Sequence, residues 1–324
     1  MHSNSLDFLH GGGEAGARMR AVAWRDTPLG PAEYWSQSLK TIVRVMLDSR
    51  YAMWMLWGPD LTFFCNDAYL PTVGIKRDWV LGARSDKVWQ EIWPDIGPRI
   101  EQVLTQGQAT WDEALLLFLE RSGFAEETYH TFSYSPVYDD DSRIAGMLCV
   151  VTEVTDKVVG ERRLRTLRDL AAHSTGVRTA QEACVALVNV LRDDPLDVPF
   201  LCVYVLHESE QRATLASCHG LLPPALRPAE MSLAEPASPW PFAAAIRSGA
   251  VQLIDLRGGA DRVRAPLWED PITQAIAIPV RKQGASATVA LLVAGVSPRR
   301  TLDEDYRGFF DLVAAQFAAA IADA

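Results

Sequence analysis

The chain has 324 residues, of which 48% are hydrophobic and 22% charged, a globular composition with enough length for about two domains. Disordered chains, collagen-like repeats and coiled-coil rods are excluded by these proportions. Asp and Glu outnumber Lys and Arg by 41 to 31, so the net charge is -10 and the protein repels phosphate backbones. We therefore expect no nucleic-acid partner.

Membrane and secretory segments are also not expected. No apolar run approaches the roughly 18 residues that a membrane span needs, and the first residues carry neither a basic leader nor an apolar core. The sequence therefore predicts a cytoplasmic protein without a membrane span. Five cysteines, never spaced C-x-x-C and mostly inside apolar runs, indicate reduced, buried thiols. Neither a disulfide framework nor a metal site is expected.

The first half of the chain alternates short strands and helices. Residues 1–20 are polar and rich in glycine, which predicts a disordered tail. Gly11, Gly13 and Gly16 spell G-x-G-x-x-G, but the preceding strand of a dinucleotide site is missing. Residues 21–48 are a leader that ends in an amphipathic helix. Across 49–156 the predicted strands are 51–57, 61–65, 110–120, 127–138 and 143–152, with helices that start at Ser85 and at Pro98.

A charged linker follows at residues 157–175. Leu164, Leu167 and Ala171 recur at helical spacing without an intervening proline, so the linker is predicted to be a helix. Two turns of apolar stripe are too few to establish a coiled coil, and dimerisation through this helix stays a hypothesis. His173 resembles a phosphoacceptor only faintly, because no acidic residue follows it.

Residues 176–324 form the second predicted domain. Thr179 and Glu182 make a capping box before a helix that buries Cys184. The predicted strands are 200–206, 213–218, 251–256, 274–280 and 287–296, and a short helix stops at Gly249. Thr301 and Glu304 are predicted to cap a long, strongly apolar closing helix.

Several segments resemble one family of bacterial hybrid sensor histidine kinases. These segments are 21–39 (AVAWRDTPLGPAEYWSQSL), 61–69 (LTFFCNDAY), 113–124 (EALLLFLERSGF), 127–137 (ETYHTFSYSPV) and 161–171 (ERRLRTLRDLA). The resemblance covers about residues 14–324. It implies an α+β fold class with two tandem antiparallel-sheet sensor domains, PAS-like over 49–156 and GAF-like over 176–324, joined by a signalling helix.

The resemblance also implies a role in two-component signalling. Where PAS domains usually end in Asp-Ile-Thr, this chain has Glu153-Val154-Thr155, which keeps the carboxylate and hydroxyl that tie the last strand to the signalling helix. No His-Glu phosphoacceptor motif or Gly-rich ATP lid follows the closing helix. We therefore expect a non-catalytic input module that works as a homodimer through its linker and terminal helices. A ligand-free scaffold, or an input for another output domain, fits the same residues.

Aromatic residues of the first domain are candidate contacts for a small-molecule ligand, although core packing explains them equally well. They are Trp89, Trp93 and Trp111, together with His130, Phe132 and Tyr134 on one strand face. Haem is not expected on His130, because haem-binding PAS domains usually take their histidine from a helix. A LOV-type flavin is not expected either, since Cys65-Asn66-Asp67 reverses the required order.

The second domain offers weaker candidates, namely Trp240, Phe242 and Asp255. Cys218-His219 resembles the cysteine-histidine pair that holds a bilin in phytochromes, but it lies in an early strand rather than before a late one. Covalent bilin is therefore not expected, Cys218 is interpreted as a packed thiol, and the cofactor stays unknown. Hydrolase, protease and nucleotide-binding motifs are missing from the sequence.

Overall fold

The computed structural model describes residues 6–173, 178–207, 211–233, 239–258, 263–268, 270–282 and 287–324. The chain divides between Val158 and Val159 into two compact units, each with its own antiparallel sheet. Among the described residues, every helix is too short or too polar to cross a membrane.

The first unit is a five-stranded antiparallel sheet with helices before and between its strands. Its helices are α1 (Gly13–Ala21), α2 (Gln37–Asp48), α3 (Leu70–Val73), α4 (Ser85–Val88) and α5 (Trp93–Gln106). Its strands are β1 (Ala52–Trp57), β2 (Thr62–Cys65), β3 (Thr110–Leu119), β4 (Glu126–Tyr138) and β5 (Ile144–Glu153), in the spatial order β2-β1-β5-β4-β3. The five predicted strands agree with these bounds to within two residues.

The prediction of a disordered tail over residues 1–20 is wrong for residues 6–20, which the structure describes. Helix α1 starts at Gly13, and Leu9, Ala15 and Met19 are buried in the core of the first unit. The Asp67 carboxylate accepts hydrogen bonds from the backbone N–H groups of Glu14 at 3.1 Å and Ala15 at 2.6 Å. A carboxylate at a helix N-terminus satisfies donors that otherwise lack partners. Because that carboxylate lies more than 50 residues away in sequence, the local composition could not reveal it.

The side chain of Asn66 joins α2, β1 and β2. Asn66 is fully buried, and its Oδ1 accepts a hydrogen bond from the Met53 N–H at 3.0 Å. Its Nδ2 donates to the carbonyl oxygens of Met46, Ser49 and Tyr51 at 3.1, 3.2 and 2.7 Å. One amide therefore satisfies four backbone groups where the chain leaves the helix and enters the sheet.

The second unit is a six-stranded antiparallel sheet, one strand more than predicted. Its strands are β6 (Leu201–His207), β7 (Arg212–His219), β8 (Glu230–Ser232), β9 (Gln252–Asp255), β10 (Gln274–Arg281) and β11 (Thr288–Gly295), in the order β8-β7-β6-β11-β10-β9. Its helices are α7 (Ala180–Arg192), α8 (Phe242–Ser248) and α9 (Glu304–Asp323), while α6 (Thr155–His173) contains the division between the units. The extra strand β8 has three residues, too few for a periodic pattern.

Each face of the second sheet has its own buried core. One contains residues of α7, α9 and Leu170, and the other contains Trp240, Phe242 and Tyr204. The N-cap of α9 is Asp303, whose carboxylate accepts the Tyr306 N–H at 2.9 Å, so the predicted Thr301 cap is wrong. Residues 1–5 of the predicted tail and 174–177 at the predicted domain boundary lie outside the described residues.

We expect Asn66→Ala to lower the free energy of unfolding of the first unit by about 3 kcal/mol, because it leaves buried backbone groups without partners. Urea unfolding followed by tryptophan fluorescence measures this unit, which contains eight of the ten tryptophans. Asn189→Ala is the matched control, because Asn189 is exposed on α7. Equal midpoints for the two variants would contradict the assigned role of Asn66.

Candidate functional site

A small cavity lies within the first unit, against the β1, β3, β4 and β5 strands. Its lining includes Trp89, His130, Phe132 and Tyr134, four of the residues predicted from sequence. Its volume of about 20 Å³ holds about one water molecule. The Trp89 Nε1 is buried and lacks a hydrogen-bond partner among the described residues. Any larger ligand would require these side chains to move.

Trp111 and Trp93 are not part of this lining. Trp111 is 67% exposed and does not line this cavity, so its contact with a ligand stays a prediction. It pairs with Ser133, which lies between the inward-facing Phe132 and Tyr134, and directly opposed residues of antiparallel strands share a face. Trp111 therefore points away from the cavity. Trp93 is half-buried at the start of α5, outside the cavity lining.

His130 is a neutral, buried imidazole on the cavity wall. Burial lowers its pKa to about 4, although Glu153 acts in the opposite direction. The Thr128 Oγ1 donates to the Leu117 carbonyl at 2.8 Å, so it accepts the hydrogen bond from His130 Nε2 at 3.1 Å. The imidazole therefore carries its proton on Nε2 and its lone pair on Nδ1.

The residues predicted to relay a signal are connected at the end of the first sheet. The Thr155 hydroxyl donates to Glu153 Oε1 at 2.8 Å and accepts the Tyr129 N–H at 2.9 Å. The Arg121 guanidinium makes a two-pronged contact with the Glu153 carboxylate at 2.6 and 2.9 Å, and it also binds Glu126. Burial opposes ionisation, but the hydrogen bonds from Arg121 hold the pKa of the Glu153 carboxyl below its ordinary value. The first residue of α6 is thus fastened to β4.

A buried charge cluster, which we define as Arg162, Arg163, Asp197 and Tyr306, lies in the second unit and was missed by the sequence analysis. The fully buried Asp197 carboxylate accepts hydrogen bonds from Arg162 Nε at 2.7 Å and Arg163 Nε at 3.0 Å. The Arg163 guanidinium lies 4.2 Å from the centre of the Tyr306 ring. The Tyr306 hydroxyl donates to the Asp197 carbonyl oxygen. The cluster therefore joins α6 to α9 through the loop before β6.

A second carboxylate extends the buried charge cluster. The Thr166 hydroxyl donates to Asp194 Oδ2 at 2.7 Å, and burial raises the pKa of the Asp194 carboxyl, with Asp197 adding to the rise. An open cleft of about 810 Å³ lies beside it between α6 and α7, and its lining includes Arg165, Asp169 and the side chain of His173. The His173 Nδ1 is 2.8 Å from the Asp169 carbonyl oxygen.

The predicted ligand residues of the second unit separate into packed and exposed ones. Trp240 and Phe242 are buried, and Trp240 Nε1 donates to the Leu226 carbonyl at 3.0 Å. Asp255 lies at the surface of the edge strand β9, where its carboxylate binds Arg257 at 2.7 Å, so its role in lining a pocket stays a prediction. Alternation along β9 places Ile254 inward and Asp255 outward, which explains the difference.

Four of the five cysteines are buried, as the sequence predicts, and Cys218 packs against a core while it keeps part of its surface exposed. Cys218 is only half-buried, and it lies directly opposite the buried Cys202 on the neighbouring strand. Sequence spacing alone did not reveal this pair, because strand register places residues 16 positions apart side by side. Among the described residues, no group of three or more His, Cys, Asp or Glu side chains could hold a metal ion.

Residues 177–322 match the GAF domain family. Residues 177–322 of the second unit are therefore GAF-like, and GAF domains as a family are general signal-sensing and ligand-binding modules. No curated protein matches the chain.

Solved structures similar to this chain include the following three. The GAF domain of an Acinetobacter phosphoenolpyruvate-protein phosphotransferase is 19% identical, with a TM-score of 0.38, covering 50% of this chain and 93% of that chain. A free methionine-R-sulfoxide reductase from Neisseria meningitidis, in complex with its substrate, is 11% identical, with a TM-score of 0.37 and coverages of 49% and 88%. A phycoerythrobilin-bound GAF domain from a cyanobacterial phytochrome is 17% identical, with a TM-score of 0.37 and coverages of 49% and 94%.

The neutral state of His130 predicts a pH-dependent stability of the first unit. Because its folded pKa of about 4 is below the ordinary 6.5, protonation favours unfolding, and stability falls as the pH drops from 6.5 towards 4. The slope approaches about 1.4 kcal/mol per pH unit from this group alone. We expect His130→Gln to flatten the slope in this window, measured by urea unfolding at several pH values. His173→Gln, at an exposed position, should keep it, and parallel curves for both variants would refute the burial argument.

We expect Asp197→Asn to lower the free energy of unfolding of the second unit by about 3 kcal/mol, because the buried Arg163 would lose its carboxylate partner and Arg162 would keep only the longer ion pair with Asp194 at 3.8 Å. Amide hydrogen exchange of β11 in increasing urea measures the stability of this unit. Asp255→Asn is the matched control, since it removes an exposed ion pair and should leave exchange unchanged. Similar exchange in the two variants would rule out the structural importance of the cluster.

Proposed function

We propose that the chain is the sensory input region of a bacterial hybrid sensor histidine kinase, with a PAS domain in the first unit and the GAF domain in the second. A five-stranded antiparallel sheet with short helices and an exit helix supports the PAS assignment. In this proposal the chain senses and relays, and the kinase output performs the phosphoryl transfer.

The observation that carries the proposal is the anchoring of α6 at both the end of the first sheet and the GAF domain. Thr155, its first residue, is held by Glu153 and by the backbone of Tyr129. Two turns later, Arg162 and Arg163 hold the buried Asp197. A helix fixed at two points transmits a change in one anchor to the other more effectively than a free linker would.

Relay of this kind requires a ligand or a partner to stabilise two states differently, by about 1–3 kcal/mol. The Glu153 anchor is suited to such a change, because its carboxylate is partly exposed and held by one arginine. In the GAF domain, the contact of Arg163 with the Tyr306 ring connects the incoming helix to the outgoing α9. We propose that a signal leaves through α9.

A ligand-free dimerisation scaffold is the second candidate function. It is favoured by the cavity volume of about 20 Å³ in the first unit. The exposed Leu164 on α6 and Leu312 on α9 support a homodimer through these helices. Native mass spectrometry and absorbance of the purified chain separate the two functions. Excess mass or a visible band supports a bound ligand, whereas a clean apo mass with concentration-dependent dimers supports the scaffold.

We expect Thr155→Val to change autophosphorylation by about fivefold or more when the chain is joined through α9 to a histidine kinase core. The substitution removes the hydroxyl that binds Glu153 and Tyr129 while it keeps the side-chain shape. Thr152→Val is the matched control, because Thr152 is exposed on β5 and should leave the rate unchanged. If both variants match the unsubstituted protein, the relay through Thr155 is wrong.

A further inference from the structure

Cys202 on β6 and Cys218 on β7 are directly opposite each other in the antiparallel register. Directly opposed residues project from the same face of a sheet, and their Cα atoms are about 4.5–5.5 Å apart. This separation lies inside the range of about 4.4–6.8 Å that a disulfide bridges. Both side chains belong to the core that contains Trp240 and Phe242. The pair can therefore be joined without a change of fold.

The two sulfur atoms differ in access. Cys202 is fully buried, whereas Cys218 is half-buried and can be reached by a small reagent. The other cysteines are buried, and Cys65 and Cys149 are separated by β1, because each lies opposite Trp54 from a different side. Cys184 is on α7. Cys218 is thus the only described cysteine with both exposure and a cysteine partner.

The surroundings favour one thiolate and one thiol. A hydrogen bond from Cys202 is the main cause that lowers the pKa of Cys218 to about 6, and the charges of Arg227 and Arg192 add to it against the effect of burial. The pKa of Cys202 is raised by the same contact and by burial. His219 adds no positive charge at neutral pH, because burial lowers its pKa to about 4. A thiolate next to an arginine is the arrangement of a reactive cysteine.

We propose that Cys218 and Cys202 form a dithiol site that hydroperoxides oxidise to a cross-strand disulfide. The Cys218 thiolate attacks the outer oxygen of the hydroperoxide, the O–O bond breaks, and the leaving alkoxide or hydroxide takes a proton from water. Cys218 becomes a sulfenic acid. The Cys202 sulfur then attacks the Cys218 sulfur, the S–O bond breaks, and hydroxide leaves with the Cys202 proton as water. Two electrons pass from the two thiols to one peroxide.

Oxidation would lock β6 to β7 on the sheet face that carries Trp240 and Phe242. The same bond would restrain the segment that begins at Gly220, which lies two residues after Cys218 at the end of β7. Reduction by a small thiol restores both cysteines. The site therefore gives the GAF domain a chemical input that is separate from the cavity of the first unit.

The test uses the full chain, reduced, freed of reductant and treated with hydrogen peroxide. Alkylation, digestion and mass spectrometry should detect a peptide pair linked through Cys202 and Cys218, with Cys65, Cys149 and Cys184 alkylated. Cys202→Ser should stop at the sulfenic acid, detected as a dimedone adduct on Cys218. Cys218→Ser should leave Cys202 reduced. Circular dichroism of each variant verifies that it is folded.

Arg227→Gln tests the role of charge without removing sulfur. In this variant, the midpoint of the pH dependence of Cys218 alkylation should move to higher pH. The rate of Cys218 labelling at pH 6 should fall by roughly threefold or more. Arg257→Gln is the matched control, because Arg257 binds the exposed Asp255 and should leave the midpoint unchanged. Peroxide that leaves both thiols free, or that oxidises Cys218 without linking it to Cys202, overturns the proposal. Equal midpoints in the two arginine variants overturn the assigned role of Arg227.

Discussion

The buried Asp197 carboxylate is the constraint on which the second unit depends. A carboxylate removed from water loses several kcal/mol of solvation unless charged partners and hydrogen bonds compensate for it. Here the compensation comes from Arg162 and Arg163 on α6, and the backbone carbonyl of the same residue accepts the Tyr306 hydroxyl from α9. If either helix moved away, the Asp197 carboxylate would lose partners while it stayed in a protein interior that solvates charge poorly. Within the second unit, α9 and the part of α6 that carries Arg162 and Arg163 therefore hold fixed positions relative to one carboxylate.

The ion pairs at the end of the first sheet also join a carboxylate to an arginine, but they are more exposed to solvent than those of Asp197. Glu153 retains about a third of its side-chain exposure, so solvent screens its attraction to Arg121 and reduces the energy that its movement costs. The Asp197 side chain has no exposure, so solvent does not screen its attraction to the arginines. A relay needs one contact that can change and one that transmits the change. In the relay that we propose, the partly exposed Glu153 is the contact that can change and the buried Asp197 is the contact that transmits the change.

Much of the fold could be predicted from periodicity, whereas contacts between residues distant in sequence could not, and the tail expected over residues 1–20 is the main error of that kind. Strands β1 to β5 and the apolar stripe of α9 depend on residues near in sequence, and their bounds agree closely with the prediction. Helix α1 depends on Asp67, and the N-terminus of α2 is held by Asp140, whose carboxylate accepts the N–H groups of Gln37 and Ser38 at 3.1 and 2.8 Å. Such contacts join residues that are 50 to 100 positions apart, which local patterns cannot reveal.

In the candidate sites, features that depend on one strand could be predicted from the sequence, whereas features that depend on the pairing of two strands could not. Alternation along β4 correctly placed His130, Phe132 and Tyr134 on one face, because that is a property of one strand. The outward position of Trp111 depends on the pairing between β3 and β4, and the facing of Cys202 and Cys218 depends on the pairing between β6 and β7. Register is a property of two strands, and it decides which side chains can react with each other. The sequence contains both cysteines, but only the pairing of β6 with β7 in the folded sheet shows that they face each other.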